Sequence, residues 1–170
     1  MVKCGGKPVS LDIKTSKQKD MRFTGTIEAK TDSKGRLFLP AVFRKILQGK
    51  EEEQLILKKD TFQDCLVIYP WSVWNEEVDT LRSKLSRWNA AHQTVFRQFV
   101  SDVEVVTLDS SGRFLIPKRY LKMAGISQGV VFLGMDSTIE IWAQERMEQP
   151  FMNNEDFSRE LEKIMNGKDE

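Results

Sequence analysis

The apolar positions of this chain fall into two rounds of the same order, each a strand-like stretch, a polar turn, a pair of apolar runs and then helical spacing. In the first round, Phe23-Thr24-Gly25-Thr26-Ile27-Glu28-Ala29-Lys30 holds strand-forming residues and runs straight into a turn. Gln54-Leu55-Ile56-Leu57 and Cys65-Leu66-Val67-Ile68-Tyr69 are apolar runs about a polar connector, Lys58 to Asp64, and predict a hairpin. Pro70 ends it, and Ser72 is placed to cap a helix whose first turns carry Glu76 and Glu77. Trp74, Val78, Leu81, Leu85 and Trp88 step by four, three, four and three along one face of that helix. Asn89-Ala90-Ala91 breaks or continues it, and Val95, Phe96, Phe99 and Val100 carry the spacing onward. In the second round, Val103-Glu104-Val105-Val106 leads into another turn. Gly129 to Leu133 and Thr138 to Trp142 predict a hairpin about Gly134-Met135-Asp136-Ser137, and a helix is expected from Glu145. Pro150 interrupts it, and Phe157, Leu161, Ile164 and Met165 form a final apolar stripe.

The two turns are copies of each other. Asp32-Ser33-Lys34-Gly35-Arg36-Leu37-Phe38-Leu39-Pro40 reappears as Asp109-Ser110-Ser111-Gly112-Arg113-Phe114-Leu115-Ile116-Pro117. Asp accepts hydrogen bonds from its own downstream backbone, Gly supplies positive φ, and three apolar residues follow before a proline. Asp32, Gly35, Asp109 and Gly112 are therefore read as shaping the turns, and Arg36 and Arg113 as pushed out on them. A basic stub follows each proline, Ala41-Val42-Phe43-Arg44-Lys45 and Lys118-Arg119-Tyr120-Leu121-Lys122, long enough for one or two helical turns. Two such copies in one barrel-like core, related by a pseudo-twofold axis, would set both turns on one rim. That rim would carry Lys34, Arg36 and Arg113, with Arg44, Lys45, Lys118, Arg119 and Lys122 further back. The planar fork of arginine matches phosphate oxygens or the acceptor edge of guanine. The competing reading is that each Asp–Arg pair is an internal salt bridge that only staples its turn, since a surface pair contributes only about 0–1 kcal/mol.

Composition narrows the classes. In 170 residues, 26 Lys and Arg stand against 25 Asp and Glu, so any basic surface is local rather than global. Residues 1–20 hold five lysines and two aspartates with few apolar residues, and are expected to be a flexible basic extension. The segment 151–170 is acidic, with six acids against three bases, and is expected to be a helix or tail. Cys4 and Cys65 lack a metal-ligand or disulfide pattern and read as reduced thiols in a cytoplasm. No apolar run approaches the roughly 20 residues that cross a bilayer. His92 is the only histidine and has no evident acid or nucleophile partner; no phosphate loop, metal cluster or cofactor fingerprint is present. Neither an enzyme nor a cofactor, metal or small-molecule substrate is expected.

The doubled Asp-x-x-x-Arg signature, with its three apolar residues and proline, and the passage Leu66-Val67-Ile68-Tyr69-Pro70 with Trp74 resemble the MraZ family of bacterial regulators, built from two SpoVT-AbrB-type repeats. The resemblance covers about Met21 to Met147. It implies an α+β, mainly β fold: a pseudo-twofold swapped-hairpin barrel with flanking helices, divided into repeats at 21–99 and 100–150. It implies a ring-shaped homo-oligomer, cytoplasmic and nucleoid-associated, that binds double-stranded DNA at short direct repeats upstream of the division and cell-wall gene cluster, its own gene included. The DNA contacts then fall on Arg36 and Arg113, with Lys34 beside the first and Ser33, Ser110 and Ser111 in the same turns. Two positions depart from the family pattern: Thr24 stands where relatives often have a basic residue, and Ser111 matches Lys34, so unequal turns are expected. A second role compatible with the fold is that of an antitoxin-like protein that neutralises a partner protein through the apolar acidic tail and regulates its own gene.

Overall fold

The computed structural model describes residues 21–167; the extension expected at 1–20 lies outside them. The elements run β1 (Thr26–Lys30), β2 (Arg36–Phe38), α1 (Ala41–Gly49), β3 (Leu55–Lys59), β4 (Leu66–Pro70), α2 (Trp71–Lys84), α3 (Ala90–Ser101), β5 (Val103–Val106), β6 (Arg113–Leu115), α4 (Lys118–Met123), β7 (Gly129–Met135), β8 (Thr138–Ala143) and α5 (Asn154–Met165). Six strands form one antiparallel sheet in the order β1-β7-β8-β4-β3-β5, and β2 pairs with β6 in a separate ribbon. The order is symmetric about the β8–β4 contact, where Leu66 faces Ile141 and Ile68 faces Ile139. Each strand on one side thus has its repeat on the other: β4 with β8, β3 with β7, β1 with β5. The fold is α+β, as expected, and its strand pairings are antiparallel. β1 and β5 stand at the two ends of the sheet, and closure into a barrel goes beyond these pairings.

Period-two alternation builds the core. Leu55 and Leu57 of β3, Leu66 and Ile68 of β4, Phe132 of β7 and Ile139 and Ile141 of β8 pack inward with Phe23, Phe43 and Tyr120. Each fully buried aliphatic or aromatic side chain contributes about 1.5–3 kcal/mol. Ile56 and Val67 are buried as well, because the opposite face of β3 and β4 is also covered. Trp74 of α2 sits edge-on to Tyr69 at 5.5 Å and stacks on Phe99 of α3 at 5.3 Å, which fixes α2 and α3 to each other and to the sheet.

The helices depart from the expectation in three places. Ser72 does not cap α2: Pro70 occupies the cap position without a side-chain bond, and the Ser72 hydroxyl donates to Glu52 instead. The Trp74-to-Trp88 face is not one helix. α2 ends at Lys84, Leu85 turns extended, the Ser86 amide donates to His92 Nδ1 at 2.9 Å, and Asn89 accepts the Ala91 and His92 amides to start α3. Trp88 is consequently 98 % exposed. Glu145 does not begin an α-helix either. Gln144–Met147 is a single 3-10 turn, and α5 starts only after Asn153, whose side chain accepts the Asp156 amide. The second hairpin is tighter than expected, with only Asp136 and Ser137 between β7 and β8. Among the described residues, no helix is long and apolar enough to cross a membrane.

Candidate functional site

Each turn is built by one aspartate. Asp32 Oδ1 accepts the Lys34 and Arg36 amides, both at 2.9 Å, while Oδ2 accepts Arg36 Nε at 2.6 Å. Asp109 repeats this: Oδ1 takes the Ser111 and Arg113 amides at 2.9 Å each, and Oδ2 takes Arg113 Nε at 2.9 Å. The backbone closes the loop in both copies, with Gly35 N–H donating to the Asp32 carbonyl and Gly112 N–H to that of Asp109. Both glycines have φ of +82°, a conformation that other residues reach only with strain. The arginine amides, followed by the other turn donors, hold both carboxyl groups below their ordinary range.

The stapling reading and the exposed-arginine reading are therefore compatible. Only Nε is used by the aspartate, and among the described residues neither Nη group of Arg36 or Arg113 has a partner. The aspartate aims the fork and leaves its terminal donors free.

The ribbon brings the two copies together. Arg36 faces Leu115, Leu37 faces Phe114, and Phe38 faces Arg113. Because side chains alternate, Leu37 and Phe114 enter the core, 1 % and 2 % exposed, while Arg36, Phe38, Arg113 and Leu115 share the outer face. Phe38 and Leu115 are both more than half exposed, and the Arg113 guanidinium lies 5.7 Å from the Phe38 ring centre. The two turns stand at opposite ends of the antiparallel ribbon, one at the start of each strand, so the arginines lie diagonally across it. Leu39 N–H donates to the Gly112 carbonyl and Ile116 N–H to that of Gly35, which ties each turn to the other repeat's strand.

Ser33, Lys34, Ser110 and Ser111 lie exposed in the turns. The stubs behind them are not equivalent. Arg119 is neutralised by Glu104 at 3.3 Å and Asp102 at 3.9 Å and lies over the Tyr120 ring, whereas Arg44 reaches the Ser111 carbonyl oxygen at 3.4 Å. Phe38 and Leu115 are the members of this surface that sequence reasoning missed; Arg44, expected further back on the rim, lies instead against the second turn. For Phe38 and Leu115 the signal was available: in a strand between two buried positions, the middle residue points outward.

Other candidates lie elsewhere. His92 holds the break between α2 and α3. Cys65 is buried, and burial pushes its thiol up to about 12, which keeps it from acting as a nucleophile. A cleft of about 540 Å³ between α3 and the β3–β4 connector is lined by Lys58, Asp60, Thr94 and Phe99 and holds none of the turn residues.

The fold and the site together define a two-repeat α+β protein whose halves meet in a β-ribbon, each contributing one aspartate-held arginine. A family model described as "MraZ protein, putative antitoxin-like" matches twice, over residues 22–98 and 99–166. The chain is 66 % identical over 145 residues to the transcriptional regulator MraZ of Phocaeicola vulgatus, covering 85 % of this chain and 94 % of that one. It is 62 % identical to the protein of the same name in Bacteroides thetaiotaomicron (86 % and 94 % covered) and 33 % identical to that of Christiangramia forsetii (85 % and 94 %). The chain belongs to the MraZ family.

Proposed function

We propose that this protein is a sequence-specific double-stranded-DNA-binding regulator of transcription, and that the outer face of the β2–β6 ribbon is its contact surface. One observation carries the reading: both repeats commit an arginine Nε to their own aspartate, and among the described residues the Nη donors have no partner. The names of the relatives support it. A two-stranded β-ribbon is a backbone shape that the major groove admits, Arg pairs with guanine O6 and N7, and apolar groups such as Phe38 and Leu115 suit the thymine methyl. Lys34, Ser33, Ser110 and Ser111, exposed in the turns, would meet the phosphates on either side.

One chain at net +1 offers few phosphate contacts, so tight binding calls for several ribbons at once. A closed ring of identical subunits, each with its strands curled into a barrel, would present them to successive direct repeats. The target proposed is the region upstream of the division and cell-wall genes, with this protein's own gene among them, in the nucleoid of the cytoplasm. An electrophoretic shift at fixed salt tests the reading. DNA from upstream of the protein's own gene is expected to be retarded at concentrations that leave a scrambled duplex free. Equal retardation of both, or of neither, contradicts it.

The antitoxin-like alternative has one observation in its favour: Phe157, Leu161, Ile164 and Met165 of α5 are all exposed. Under that reading, removing residues 151–170 abolishes neutralisation of a partner protein and leaves DNA binding intact.

A further inference from the structure

Arg44 belongs to the first repeat and works on the turn of the second. It is carried by α1, yet its Nη1 lies 3.4 Å from the Ser111 carbonyl oxygen. A methyl group on Gly112 would overlap Nη1 and come within 2.8 Å of Cδ, so the side chain lies directly against that turn. In the second stub the matching residue is Leu121, and it lies against the first turn, its Cδ1 3.5 Å from a methyl placed on Gly35. The two stubs have thus exchanged turns, and only one of them delivers a charge.

Arg36, Arg113 and Arg119 each have a carboxylate within 4 Å, whereas among the described residues Arg44 has none. It is half-buried, and its Nε is buried without a hydrogen-bond partner among the described residues. A partly desolvated guanidinium without a counter-ion or a full set of acceptors is an unfavourable arrangement that an external anion relieves. The anion has a natural place. Turn one carries Lys34 and Arg36; turn two carries Arg113 and, at the position of Lys34, Ser111.

We infer that Arg44 is the second cation of turn two, supplied from the other repeat, and that it binds a phosphodiester oxygen of the DNA seated on the ribbon. This rests on the DNA-binding reading above. Each turn then presents two positive charges although Ser111 stands where the first turn has Lys34.

The test is the salt dependence of binding to the duplex from upstream of the protein's own gene, read by fluorescence anisotropy over a tenfold range of salt. Arg44→Leu, the residue of the second stub, and Arg44→Gln are each expected to reduce the slope of log K against log salt by about 0.9 per Arg44 engaged. Arg44→Lys is expected to keep the parent slope, because phosphate accepts a point charge. A purely structural strut would behave differently: all three variants would bind less tightly, with parallel salt plots. Parent-like slopes for Arg44→Leu and Arg44→Gln, with a reduced slope for Arg36→Ala, overturn this inference alone. Salt-independent or absent binding by the parent overturns the DNA-binding reading and this inference with it.

Discussion

The turn at Asp32 and the turn at Asp109 share their aspartate bonds, their glycine φ of +82° and their place at the start of a ribbon strand, yet Leu121 stands behind the first and Arg44 behind the second. The shared part is held entirely within five residues, so duplication carries it over intact. The differing part comes from the opposite repeat and lies outside that local chemistry, which leaves it free to diverge. Equivalence of the two turns is thus a local property, and their electrostatic surroundings are set by the exchange of stubs across the ribbon.

Leu37 and Phe114 are where the two turns depend on each other, since they face one another at the centre of the ribbon and enter the core together. Phe114→Ala is expected to cost about 3–5 kcal/mol and Leu37→Ala about 2–5 kcal/mol in urea unfolding. Because the ribbon is shared, each should increase hydrogen exchange at both turns. Exchange that rises at one turn only would mean that the repeats are independent.

The glycines separate the two surroundings at lower cost. Gly35→Ala and Gly112→Ala each force an L side chain into positive φ, about 1–2 kcal/mol. Their neighbours differ: a methyl on Gly35 comes within 3.2 Å of the Ile116 carbonyl oxygen, whereas one on Gly112 displaces Arg44. Adding Arg44→Ala is expected to lessen the cost of Gly112→Ala and to leave that of Gly35→Ala unchanged. Equal coupling to both glycines would contradict the placement of Arg44.

Acid should affect the turns alike. Both aspartates are depressed in the folded state by the amides and arginine that they accept. Their contribution is complete above the ordinary carboxylate value of about 3.9 and is lost as pH falls through the lowered folded values. The Lys34 and Ser111 amide resonances should therefore hold steady down to about pH 4 and move together below it. Movement of either between pH 5 and 7 would contradict the aspartate cap.

The duplication, the hairpins and the turn chemistry were legible in the sequence because they are local: Asp, Gly and Arg at fixed spacing specify their own hydrogen bonds. Pairing of β2 with β6 was not legible. Each strand is three residues long, and its partner lies in the other repeat, so only tertiary packing sets the register. The break at Leu85 was hidden because Leu85 and Trp88 happen to continue the spacing of α2, although Asn89 before Ala90 and Ala91 was a usable cap signal. Nothing in the stub Ala41 to Lys45 indicates that Arg44 crosses to the second turn, since its direction follows from how α1 packs on the ribbon.

Titration of Arg36→Ala and Arg113→Ala against the duplex from upstream of the protein's own gene, with thermal melts of the same samples, shows whether both arginine turns bind DNA from one ribbon. Both variants are expected to melt within about 1 kcal/mol of the parent, since exposed ion pairs contribute little. Both should also bind at least tenfold more weakly, as the loss of one good base contact, about 1–3 kcal/mol, implies. A folded variant of either arginine that binds as the parent does would remove its turn from the interface and contradict the shared ribbon.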